Sequence, residues 1–88
     1  MITVYSIPNC PNCKRLEVIL RSKGILNYEK RMFNPDNDDD VAEMSMLGIY
    51  TAQFPVVIIN GERIPAMPVQ QYARLLDELI ERGQVKRG

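Results

Sequence analysis

The stretch "IPNCPNCKRL", from Ile7 to Leu16, holds both cysteines of the chain and limits what the residues around it can become. Upstream, "MITVYSI" is rich in β-branched residues and tyrosine and stops at Pro8, as a strand would. Downstream, Leu16, Ile19 and Leu20 recur at helical spacing as far as Lys23, with Gly24 as the stop. The joint is therefore a strand-to-helix turn. Proline is favoured at the first helical position, where its missing N–H costs nothing. That makes Pro11 the first helical residue, Cys10 the cap and Cys13 the third helical residue. The free N–H groups of the first turn then face the Cys10 sulfur, and the helix dipole adds positive potential there. Both favour thiolate over thiol, so a lowered pKa is expected for Cys10. Cys10 is the expected nucleophile and Cys13, one turn deeper, the resolving thiol. Their Cα atoms should lie about 5–6 Å apart, within disulfide range.

Other uses of the pair are weaker. Four-coordinate zinc needs four ligands, and the chain has no further cysteine and no histidine; no metal is expected. A disulfide closing so short a loop restrains the unfolded chain little. Lys14 and Arg15 follow Cys13; they add positive potential or simply form a solvated helix face. Eighty-eight residues suit one small domain, and 45% hydrophobic content suffices for a core. Eleven basic residues balance eleven acidic ones, which gives no general electrostatic reason for a nucleic-acid or anionic-membrane partner. The longest apolar run, "FPVVII", is too short to span a bilayer, and no secretory signal is visible. The expected location is the cytoplasm, where disulfides are more often transient and catalytic than structural.

Further along, "ILNYEKRMF" reads as a second strand. "NPDNDDD" leads into a helix carrying Val41, Met44 and Leu47 and ending at Gly48. The acidic run suits a helix N-terminus and lacks the glycine and late glutamate of a calcium loop. "FPVVIIN" is a buried strand, Asn60-Gly61 a hairpin turn and "ERIPA" a short returning strand. Pro68 opens a last helix with Val69, Tyr72, Leu75, Leu76, Leu79 and Ile80 on one face. Residues 1–82 form the expected domain, and 83–88 a flexible tail. The order βαβαββα gives a four-stranded mixed sheet flanked by three helices, its first two strands parallel. Tyr5 is expected in the core, as is Met44; Met67 is placed near the substrate groove, and Tyr50 either borders that groove or lies on the surface. Pro55 begins its strand either as a trans residue or, if cis, with the Phe54 backbone turned out to pair with an extended substrate.

"TVYSIPNCPNCKRLEVILRSKGI…YE", with "FPVVIINGERI" after a helix, resembles a glutaredoxin of the thioredoxin superfamily. The resemblance covers nearly the whole chain and implies a thioredoxin-like α/β fold, a Cys10 nucleophile, a Cys13 resolving thiol and a cis Pro55. The substrate groove is expected around Pro11, Asn12, Phe54, Pro55, Ala66 and Met67. The departures concern glutathione. Relatives carry lysine where this chain has Ile7, and tyrosine where it has Asn12. They carry Thr-Val where it has Gln53-Phe54, and Gly-Gly with an acidic residue where it has "IPAMPV". Losing a lysine–carboxylate contact weakens binding by about 1–3 kcal/mol; Lys14 or Arg63 are substitutes for it.

The expected activity is dithiol–disulfide exchange on protein or mixed disulfides. Glutathione or thioredoxin reductase would recharge the pair, and ribonucleotide reductase is a candidate acceptor. No tightly bound cofactor is expected; glutathione would be a co-substrate. The chain is expected to act as a monomer. The alternative is a binding module whose cysteines are idle or bridge a metal across a dimer.

Overall fold

The computed structural model describes residues 1–49 and 54–87 of the chain. Strand β1, Ile2–Ser6, alternates between the two sides of a sheet, with Ile2, Val4 and Ser6 buried and Thr3 and Tyr5 half-buried. Helix α1 spans Pro11–Ser22, β2 Glu29–Met32, α2 Asp38–Met46, β3 Val56–Ile59, β4 Glu62–Arg63 and α3 Val69–Glu81. The strands form one sheet in the order β2-β1-β3-β4. β1 and β2 run parallel; β1 with β3 and β3 with β4 run antiparallel. This is the thioredoxin-like architecture expected.

Each face of the sheet has its own core. On one, Ile2, Val4, Val57 and Ile59 of the central strands meet Leu16 and Leu20 of α1 and Tyr72 and Leu76 of α3. On the other, Val56 packs with Met44 of α2, Phe33 and Ile49, and half-buried Tyr5, Ile7 and Phe54 join them. Tyr5 and Phe33 stack with ring centroids 5.4 Å apart. The continuous apolar run of β3 follows from this arrangement, because a central strand covered on both sides needs apolar residues at consecutive positions. The Asn60-Gly61 turn has φ of 51° and 82°, the paired positive values of a two-residue hairpin that matches strand twist.

Three expectations need correction. The second strand is shorter than "ILNYEKRMF". Ile25 belongs to the end of α1, where its N–H donates to the Leu20 carbonyl at 2.9 Å and its side chain enters the core. What remains is an edge strand whose four residues are all exposed, and its Glu-Lys-Arg composition suits an edge that must not recruit other chains. α2 ends at Met46, so Leu47, expected on the helix, is its C-terminal cap; only Met44 of the helix is buried, and Val41 and Leu47 are 41% and 43% exposed. The segment from 83 onward includes a core residue: Val85 is 6% exposed and packs with Ile2, Ile25 and Leu76 in one cluster.

Candidate active site

β1 delivers the chain to the site, and Asn9 turns it. Asn9 has φ of 60°, a left-handed conformation that asparagine tolerates better than most residues. Cys10 follows in extended conformation, and Pro11 begins α1. The helix cap is the Cys10 sulfur itself: the Cys13 backbone N–H donates to Cys10 Sγ at 3.2 Å. The arrangement argued from Pro11 is thus present. The two cysteines are joined as a disulfide with Cα atoms 5.3 Å apart. Cys10 is half-buried and Cys13 only 3% exposed, so an incoming disulfide meets Cys10 first.

The Phe54–Pro55 bond is cis. Pro55 is buried and Phe54 half-buried. A groove of about 350 Å³ is lined by Asn12, Phe54, Pro55, Ala66, Met67, Val69 and Tyr72. Five of the residues expected around the substrate are therefore neighbours; Pro11 lies exposed beside them at the start of α1. A second hollow, about 380 Å³, lies on the other flank of Pro55, where Arg63 Nη1 donates to the Gly48 carbonyl at 3.1 Å. Tyr50 and Gln53 fall outside the described residues. Val69 and Tyr72 complete the groove although their helical spacing marked them only as core. The one signal in the sequence was a hydroxyl on an otherwise aliphatic helix face.

Ile7 explains one departure from relatives. Its half-buried side chain packs with the Phe33 cluster, so this position serves the core and supplies no cation. Lys14 is exposed on α1. Among the described residues no group of three or more histidine, cysteine, aspartate or glutamate side chains is placed to hold a metal ion. No described helix is long and apolar enough to cross a membrane.

The sequence model of the glutaredoxin family matches residues 2–64. Among curated protein sequences none matches the chain significantly. Among solved structures, a buckwheat glutaredoxin in complex with glutathione superposes with a TM-score of 0.67 at 23% identity, covering 97% of this chain and 81% of its own. Reduced glutaredoxin C1 from Populus tremula x tremuloides gives 0.59 at 22% identity, over 94% and 66% of the two chains. The thioredoxin-like protein BC3987 gives 0.55 at 23%, over 85% and 99%. Those structures share the fold, and the family match spans the cysteine pair and the cis proline. The protein is a thiol–disulfide oxidoreductase and belongs to the glutaredoxin family.

Proposed function

We propose that this protein reduces protein or mixed disulfides with Cys10 as nucleophile and Cys13 as resolving thiol. In the reduced protein, the Cys10 thiolate attacks one sulfur of the substrate disulfide. A Cys10–substrate disulfide forms and the other substrate sulfur leaves as thiolate. Cys13 loses its proton, and its sulfur attacks Cys10 Sγ. The Cys10–Cys13 disulfide forms and the second substrate sulfur is released. Two electrons have passed from protein to substrate. The observation carrying this reading is the Cys13 N–H directed at Cys10 Sγ, 3.2 Å away, with Cys13 itself buried.

Two glutathione molecules, or the dithiol of a thioredoxin reductase, would return the electrons. The glutathione complex of the buckwheat relative supports the first, whereas Ile7 in the core removes one familiar cation and leaves Lys14 to meet a carboxylate. Ribonucleotide reductase remains a candidate acceptor, and the setting proposed is a cytoplasmic monomer. The test is disulfide reduction driven either by glutathione or by NADPH with thioredoxin reductase. Cys10→Ser should abolish turnover with both, and Cys13→Ser should accumulate a mixed disulfide detectable by mass. Full turnover by Cys10→Ser would remove Cys10 from the mechanism.

A further inference from the structure

Tyr72 is the one groove residue that brings a buried polar group. It lies in the first turn of α3 and is only 2% exposed, yet it lines the groove beside Asn12 and Pro55. Its hydroxyl has no hydrogen-bond partner among the described residues. Nor is it sealed inside: Ser6 Oγ is the only fully enclosed and unpartnered side-chain oxygen or nitrogen among them. The phenol oxygen is therefore not fully enclosed, and its residue lines the groove. Buried hydroxyls are costly to leave unpaired, and nearly all find a partner.

We infer that the Tyr72 hydroxyl is a specificity group that donates a hydrogen bond to an sp² oxygen of the substrate, a carboxylate or peptide carbonyl close to the half-cystine under attack. The remaining groove surface comes from Phe54, Pro55, Ala66, Met67 and Val69, which offer no side-chain donor. Asn12 supplies an amide at the rim, between the two cysteines. A chain lying in the groove would pass within one residue of the disulfide, at Asn12, and along the surface that Tyr72 contributes. Burial pushes the Tyr72 pKa above its ordinary value of 10, so the group stays protonated and able to donate throughout the working range of a thiolate. A site built this way discriminates by penalty. A disulfide without an acceptor leaves the phenol desolvated and unpaired, and binds worse for that reason.

This inference rests on the disulfide-reducing reading, and the experiment separates the two. The reduced protein is mixed with increasing amounts of glutathione disulfide, of a terminally blocked cystine peptide, or of bis(2-hydroxyethyl) disulfide, which has no sp² oxygen. Rates of oxidation are read by acid quench and mass. Tyr72→Phe removes one oxygen that holds nothing in the fold, so the variant should keep its melting temperature. The half-saturating concentration should rise about five- to tenfold for the acceptor-bearing disulfides, with the limiting rate unchanged and the hydroxyethyl disulfide unaffected. A rise with glutathione disulfide alone assigns a carboxylate; a rise with both assigns a carbonyl. An equal effect on all three disulfides, or no effect on any, overturns the inference. As a second measurement, the Tyr72 hydroxyl proton is followed by NMR in the Cys13→Ser protein trapped with glutathione. Slowed exchange relative to the untrapped protein is expected, and unchanged exchange counts against the bond. If wild type reduces none of the three disulfides, the proposed function itself has failed.

Discussion

At the scale of single residues, the site depends on what surrounds one sulfur. Cys10 Sγ replaces the serine or aspartate oxygen that usually caps a helix, and the Cys13 N–H it accepts from would otherwise be unpaired. A thiolate gains more from such a donor than a thiol does, because hydrogen bonds to a charged acceptor are stronger. In the reduced protein, alkylation of Cys10 should therefore reach half its maximal rate below the ordinary cysteine pKa of about 8.5. Cys13 should react only at higher pH or after unfolding, since it is almost wholly covered. Iodoacetamide kinetics against pH, with the site of modification read by mass, checks both statements. A Cys10 midpoint at or above the free value would remove the electrostatic basis of the mechanism. This much was legible in the sequence because Pro11 fixes the helix start and the spacing fixes the rest. The role of Tyr72 was not, because periodicity reports which face is covered and says nothing of which covered atom meets a groove.

At the scale of elements, the helices end alike. After α1, Gly24 N–H donates to Arg21 and Ile25 N–H to Leu20; after α2, Gly48 donates to Ser45 and Ile49 to Met44. In both cases the residue following glycine is an isoleucine that packs beside the residue whose carbonyl it binds, the apolar contact that accompanies this cap. The Gly-Ile pairs are plain in the sequence, but assigning Ile25 to a strand overlooked that the cap had a use for it. The start of α2 needs its own support, since this helix buries a single side chain. Asn37 Oδ1 accepts from the Asp40 N–H at 3.1 Å, and three aspartates occupy the first turn. Asn37→Ala should cost about 1 kcal/mol, the usual worth of such a cap, measured as a shift of the urea midpoint at constant slope. With so little burial to fall back on, α2 amides should also exchange faster in the variant than in wild type, while α1 amides stay unchanged. No change in midpoint would mean that the aspartates alone hold the helix start.

At the scale of the whole molecule, the end of the sheet remote from Cys10 is tied together by one side chain. Asn60 Oδ1 accepts from the Met1 amine at 2.7 Å, and Asn60 Nδ2 donates to the Gln84 carbonyl at 3.0 Å. Gly83 and Gln84 close α3 through bonds to Ile80 and Leu79, the same cap as on the other helices. Here the residue after glycine is polar, and the burying position passes to Val85, one residue later. That displacement is why "RGQVKRG" reads as a tail: one valine among charged residues carries no period. The two readings differ in energy by enough to decide between them. A frayed tail contributes within about 0.5 kcal/mol of nothing. A buried valine loses about 0.8 kcal/mol for each of the two methyl groups that alanine lacks, plus a cavity term. Val85→Ala should therefore lower stability by about 1.5–2.5 kcal/mol, and deleting residues 84–88 by more, since the cap on Leu79 and the Asn60 bond go with it. Against a total of about 5–10 kcal/mol for a domain of this size, the deletion should shift the urea midpoint plainly. Oxidation of reduced Cys10 by a small disulfide, measured well below that midpoint, should keep its wild-type rate, because the cap on Cys10 lies at the other end of the sheet. A deletion variant with an unchanged midpoint would return these residues to the role of a tail.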